Sequence, residues 1–187
     1  MLAIYIVIGI VVLLLIFFIA TYNGLVRLRN QLRNAWAQID VQLKRRYDLI
    51  PNLVETVRGY MKHERETLEA VTKARNLAQG VASGDVGARS KAEGELSSAL
   101  SRLLAVVENY PDLKANQNFL ALQEELTSTE NKIGFSRQYY NDSALRLNNQ
   151  VQMFPSNIVA SMTGFKLGDF FEIKVAEEKE APKVSFT

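Results

Sequence analysis

A single histidine, His63, occurs in the whole chain, so any mechanism that needs two imidazoles is excluded by count. Carboxylate-bridged di-iron bundles require a Glu-x-x-His on each of two helices. Here Tyr60 stands three residues before His63. A lone imidazole between Lys62 and Glu64 is therefore expected on a solvated helix face. Carboxylates are more plentiful. Glu64, Glu66 and Glu69 fall on one predicted helix, and Glu124, Glu125 and Glu130 on another, where they could pair for acid and base work or for a divalent ion. Lys62, Arg65, Lys73, Arg75, Lys132 and Arg137 lie close to them in sequence, the pattern of an ion-paired, solvated surface. No Gly-x-Ser-x-Gly elbow, phosphate-binding glycine loop or dinucleotide fingerprint occurs. The absence of cysteine removes disulfides, thiolate metal sites and an acylated lipoprotein anchor. These counts lead to the expectation of a protein that is not an enzyme, with no catalytic, metal or cofactor site. A carboxylate-dependent metal enzyme or hydrolase, or a membrane signalling relay, is the alternative.

A second set of polar residues falls where apolar ones belong. Arg33, Asp40 and Arg45 recur near one helical seam, and Gln123, Thr129, Arg137, Asn141 and Asn148 lie on or beside another. Buried polar groups demand partners, so such a seam would dictate which helix meets which and would serve as a binding site only secondarily.

The elements that must position these residues follow from hydrophobic spacing. Leu25, Leu28, Leu32, Trp36, Ile39 and Leu43 recur every three or four residues and predict a first amphipathic helix. Pro51 lacks an N–H and disfavours helical geometry at Ile50, so Tyr47–Pro51 is expected to interrupt it. A second stripe runs through Leu53, Val57, Tyr60, Glu64, Leu68, Val71, Arg75 and Ala78. Gly80, Ser83, Gly84 and Gly87 mark a turn. Leu96, Leu100, Leu103 and Val107 predict a third helix, started either by a Ser90–Glu93 capping box or by Asp85, and ended at Tyr110-Pro111. The fourth stripe, Phe119 to Phe154, is the most regular, and Ser156 is expected to cap a short helix through Met162. Four such helices with short connections predict an all-α fold, an antiparallel four-helix bundle over residues 23–163.

Before the bundle, Leu2–Ala20 is a run of 19 residues without charge, about 28 Å long as a helix and able to cross a bilayer. It begins at residue 2 with no basic segment ahead of it and exceeds the usual core of a cleaved signal, so residues 1–22 are read as an uncleaved transmembrane anchor. The join to the first bundle helix has one weak point, Asn23-Gly24. Arg27, Arg29 and Arg33 follow within about fifteen residues, which by the positive-inside rule places the bundle of a single-pass protein in the cytoplasm. An extracytoplasmic bundle is the alternative. These three arginines are close enough to touch anionic headgroups, whereas Lys44, Arg45 and Arg46 stand farther out. A net charge of +2 and the lack of a basic tract give no footing for nucleic acid.

Residues 164–187 change character. Phe170 and Phe171 precede an acidic run, and Phe171, Ile173 and Val175 alternate with polar residues as an extended segment would. With Phe186, Phe170 and Phe171 are candidates to dock this tail on the bundle or on another subunit, since aromatics are costly to leave in water.

The stretch from Arg33-Asn34-Ala35-Trp36 through Tyr47-Asp48-Leu49-Ile50-Pro51-Asn52-Leu53-Val54 resembles the signature of the LemA family. Leu120-Ala121-Leu122-Gln123-Glu124-Glu125-Leu126, Thr129-Glu130-Asn131, Arg137-Gln138-Tyr139-Tyr140-Asn141, Phe154-Pro155-Ser156-Asn157 and the closing Ala181-Pro182-Lys183-Val184-Ser185-Phe186 are also similar to it in order and spacing. The resemblance implies a bacterial membrane protein with an N-terminal anchor and an up-and-down helical bundle, and it brings no catalytic residues. The expected role is a scaffold or adaptor that self-associates or holds a partner protein at the bilayer, with organising or shaping the bilayer as a variant. The expected partners are therefore lipid, further copies of the chain and another membrane protein.

Overall fold

The computed structural model describes all residues except 62, 83 and 173–187. Among the described residues the chain is all-helical, with no strand. Its six helices are α1 (Leu2–Arg58), α2 (Arg65–Gly80), α3 (Val86–Val107), α4 (Pro111–Lys114), α5 (Gln117–Gln152) and α6 (Ser156–Thr163). The expected all-α class and long apolar N-terminal helix are present. The helices number six where four stripes were read, because α4 and α6 are short elements. The described residues separate into two compact units, Met1–Val41 with Gly134–Phe170, and Gln42–Ile133 with Phe171 and Glu172.

In the first unit α1 runs through Asn23-Gly24 without a break. Along the apolar run its side chains stand in the open. Past it, Leu25 packs with Leu147 of α5 and Val159 and Ala160 of α6, and Phe18, Leu28, Leu32, Val151 and Phe165 cover this core. Gln31 donates to the Tyr139 hydroxyl at 3.3 Å, and Trp36 meets Tyr140 edge-on at 5.4 Å. Leu25 at the start of this stretch meets Leu147, whereas Gln31 and Trp36 farther on meet Tyr139 and Tyr140, so the two helices are antiparallel here. Ser156 does not cap α6 from outside. It is the first residue of that helix, and its hydroxyl donates backward to the carbonyls of Gln150 (2.6 Å), an acceptor that the end of α5 leaves over, and of Met153 (2.8 Å), just past that end. Gly164 ends α6 at φ +73°, the left-handed geometry that glycine adopts without penalty.

The chain then returns along this unit without regular structure. Asn148 grips Gly168 at two points, its amide donating to the carbonyl at 2.9 Å and its side-chain oxygen accepting from the N–H at 2.8 Å. Gly168 approaches so closely that a Cβ there would come within 2.7 Å of Leu32. Tyr140 donates its hydroxyl to the carbonyl of Asp169 at 3.0 Å.

In the second unit the largest departure from expectation is Pro51. The helix does not stop at Tyr47–Pro51 but continues to Arg58 with the proline inside. A mid-helix proline costs about 3 kcal/mol because it removes a hydrogen bond and crowds the carbonyl four residues back. That carbonyl belongs to Tyr47, and the Nε of Arg75 on α2 donates to it at 3.2 Å. Tyr47, Ile50, Leu53, Val54 and Val57 are all buried on one stripe that passes through the proline, and burying each such side chain contributes about 1.5–3 kcal/mol. Packing wins over the lost hydrogen bond. The real break comes between Arg58 and Arg65, so Leu53 and Val57 belong to α1 and only Leu68, Val71, Ala74 and Ala78 form the α2 face. α3 begins with Asp85, whose carboxylate accepts from the Ala88 N–H at 2.9 Å. The alternative Ser90–Glu93 capping box does not form, because both residues lie inside α3 and face other partners.

Two outcomes test the first unit. Asn148→Ala removes two hydrogen bonds and orphans a backbone N–H, so it should cost about 2 kcal/mol and speed hydrogen exchange at Gly168. Burial, then the nearby Asp169 carboxylate, push the Tyr140 phenol up to about 12, against about 10 in an unfolded chain. A raised pKa stabilises the fold fully below pH 10, and that contribution is lost as pH rises towards 12. The stability gap between wild type and Tyr140→Phe should be constant up to pH 10 and shrink above it. Fluorescence of Trp36, the only tryptophan, follows the unfolding.

Candidate functional site

The most concentrated chemistry lies inside the second unit, on residues that share their helices' buried stripes. On α1, Arg46 stands three residues after Leu43 and four before Ile50, at an interior position. It is only 1% exposed. On α3, Arg89 and Glu93 sit between Val86 and Leu96 in the same way. Glu93 is also 1% exposed and uses both carboxylate oxygens: Oε2 accepts from Arg46 Nη2 at 2.9 Å, and Oε1 accepts from the Tyr47 hydroxyl. Arg46 spreads further, with Nη1 donating to Glu130 of α5 at 2.6 Å and to Ser97 at 3.2 Å, and Nη2 reaching the Glu93 carbonyl. Arg89 donates to the Tyr47 hydroxyl at 3.2 Å and to the carbonyls of Ala78 and Val81. Those carbonyls close α2, where a cation also meets the negative end of the helix dipole. With Arg75 on the Tyr47 carbonyl, one cluster draws on α1, α2, α3 and α5.

Two guanidinium charges, Arg46 and Arg89, stand with the carboxylates of Glu93 and Glu130, and the guanidinium of Arg75 lies at the edge of the cluster. Burial pushes the Glu93 carboxyl above its usual range, opposed by Arg46, Tyr47 and Arg89. Burial and the adjacent Glu93 hold the Tyr47 phenol far above its ordinary value, so it stays a neutral donor. A carboxylate engaged on both oxygens and a phenol that keeps its proton are arranged to hold positions rather than to transfer protons. The Nε atoms of Arg46 and Arg89 and the Oγ1 of Thr129 are buried with no hydrogen-bond partner among the described residues.

The residues singled out in the sequence differ in exposure. Thr129 is buried, Gln123, Arg137, Asn141 and Asp40 are half-buried, and Arg45 is exposed and ion-paired with Glu125. Arg27 and Arg33 are exposed, while Arg29 lays its guanidinium 5.0 Å from the ring centre of Phe165, a cation–π contact. Phe171 is buried and Phe170 exposed. Phe186, Ile173 and Val175 lie outside the described residues. Glu64 accepts a long hydrogen bond from Tyr110, Glu69 pairs with Arg65, and His63, Glu66 and Glu124 are exposed. Among the described residues no three His, Asp or Glu side chains converge as a metal site would require. A groove of about 840 Å³ in the second unit is lined by Met61, Arg65, Leu68, Glu69, Lys73 and neighbours, none of them part of the buried cluster.

Arg46, Tyr47, Arg89 and Glu93 escaped the sequence reading, which placed Arg46 in a basic set farther out from the membrane and offered Glu93 for a capping box with Asp85 as the equal alternative. Their signal was available: each occupies a position that the helical period assigns to the core.

Helical architecture, the open apolar run of α1 and a cluster built for position define a membrane-associated, all-helical protein. The chain belongs to the LemA family, whose model matches residues 35–186. It is similar to Protein LemA of Metamycoplasma hominis, with 28% identity over 89% of this chain and 74% of the relative. Magnetosome protein MamQ 2 of Paramagnetospirillum magneticum is 28% identical over 88% of this chain and 71% of its own, and Magnetosome protein MamQ of Magnetospirillum gryphiswaldense is 27% identical over the same shares. None of these names is that of an enzyme.

The cluster can be tested by a double-mutant cycle. Arg46→Met and Glu93→Gln each leave an uncompensated buried group and should each cost about 3–5 kcal/mol in urea unfolding. The double variant should cost less than the sum by at least about 1 kcal/mol. Strict additivity would remove the coupling.

Proposed function

We propose that this protein is a non-enzymatic scaffold or adaptor, held in a bacterial membrane by the N-terminal part of α1, that self-associates or binds partner proteins there. The observation that carries the reading is the exposure of α1 along its apolar run: side chains from Leu2 to Ile16 stand about half exposed or more with no protein against them. A helix that is apolar all round needs lipid as its solvent. Supporting it, the polar residues with the strongest interactions hold helices together, and the MamQ relatives are named for the magnetosome rather than for a reaction.

Self-association has a surface available in the first unit. Phe135 is 73% exposed on α5 and Tyr139, one turn on, is partly open. Isolated exposed aromatics of this size are what a contact between copies would cover. Arg27 and Arg33, exposed just beyond the span, favour a cytoplasmic body by the positive-inside rule.

Crosslinking in native membranes, followed by sizing in mild detergent, tests the proposal. Oligomers are expected, and Phe135→Glu should weaken them about tenfold, the equivalent of about 1.4 kcal/mol. A strictly monomeric protein with no crosslinked partner would overturn the scaffold reading. Protease added to sealed inverted vesicles should digest the body if it is cytoplasmic and spare it otherwise.

A further inference from the structure

We propose that the corner joining α5 to α6 is a second membrane contact, a shallow apolar wedge that lies in the bilayer interface beside the span. This rests on the reading of Leu2–Ala20 as the membrane-crossing segment.

The corner turns two faces to different surroundings. Inward, Val159 and Ala160 of α6 and Leu147 of α5 are buried against Leu25, with Phe18 packed on the same core. Outward, Phe154 is 80% exposed, Met162 72%, and Met153 and Ile158 more than half. Ile158 and Met162 are one turn apart and share a face of α6. Four large apolar side chains in a row facing water would be an unusual surface for a protein whose other helices present charges.

Composition supplies an independent sign. From Leu147 to Phe165 there are 19 consecutive residues without a single Asp, Glu, Lys or Arg, bounded by Arg146 and Lys166. In a chain with 22% charged residues, this is the only charge-free stretch of such length apart from the span itself. A core helix of a water-soluble body normally keeps charges on its outer side. Here the outer side has none.

Position identifies the occupant as lipid. Of the α1 residues in that core, Phe18, Leu25, Leu28 and Leu32, the first two straddle the end of the apolar run at Ala20 and are about 10 Å apart along the helix. The corner is thus level with the place where α1 leaves the hydrocarbon. Tyr22, of a type that favours this level, stacks edge-on with Phe165 at 6.1 Å. Arg29 lies over that ring, and Arg27 and Lys166 are exposed nearby in sequence, at the height of headgroups. An apolar face with a basic border at this depth is what an interfacial helix presents, sunk roughly 5–10 Å into the boundary of headgroups and chains.

The chain has no cysteine, so one can be introduced anywhere. Full-length protein carrying a polarity-sensitive fluorophore on Phe154→Cys, Ile158→Cys or Met162→Cys is reconstituted into phosphatidylcholine–phosphatidylglycerol vesicles containing lipids with a nitroxide near the headgroup or near the chain end. Ile10→Cys reports on the span, and Gln138→Cys, exposed on α5 and roughly 24 Å farther along that helix from Phe154, reports on the aqueous side. The three corner labels should be blue-shifted and quenched by the shallow nitroxide about twofold or more over the deep one, with Gln138→Cys unquenched. Ile10→Cys should be quenched best by the deep nitroxide. If Ile10→Cys behaves so and the corner labels match Gln138→Cys, the wedge is wrong while the span stands. If Ile10→Cys is itself unquenched, the span reading fails and takes the wedge with it. Blue-shifted corner labels that neither nitroxide quenches would mean a protein covers the corner, which also overturns the proposal.

Discussion

The second unit depends on the pair formed by Arg46 and Glu93. Both are almost wholly buried, and neither could stay there without the other, because an isolated charge taken out of water costs several kcal/mol. That requirement propagates. To satisfy the remaining donors and acceptors, the pair recruits Tyr47, Ser97 and Glu130, and through Tyr47 it recruits Arg89, which in turn secures the last carbonyls of α2. Shifting any contributing helix by one turn would leave buried polar groups unpaired. An apolar core of equal volume tolerates sliding far better. The cluster therefore fixes register where hydrophobic packing alone would permit several.

Pro51 shows the same logic on a smaller scale. A proline can sit inside a long helix only if the carbonyl it frees finds a donor and the stripe on both sides remains worth burying. Arg75 supplies the donor, and Tyr47, whose carbonyl is freed, is the residue whose hydroxyl joins the buried cluster. One residue thus links the exception in the backbone to the polar network, and the proline is tolerated because the network is present.

The fold class was legible because its signals are periodic and local. Leu25 to Leu43 and Phe119 to Phe154 repeat every three or four residues, and the apolar run is continuous. What was misread lies where tertiary partners overrule local preference. Pro51 reads as a stop by its own chemistry, and only Arg75, twenty-four residues later, cancels it. Arg46 reads as a surface cation because it follows Lys44 and Arg45, although its phase on the helix places it inward. Ser156 reads as a cap, yet the carbonyls at the end of α5 compete for its hydroxyl. In each case the deciding atom belongs to a residue distant in sequence or to a different turn.

The first unit follows a different rule. Two of its polar locks are neutral: the amide of Asn148 on Gly168 and the phenol of Tyr140 on the Asp169 carbonyl. Neutral hydrogen bonds lose less than ion pairs when the surrounding dielectric falls, since no charge has to be carried out of water. This unit contains the apolar span, and its α5–α6 corner is free of charge from Leu147 to Phe165. A part of the protein beside hydrocarbon can be held together by amides and hydroxyls at little cost. Charged partners for helix specificity are better suited to the unit formed by Gln42–Ile133, where they occur.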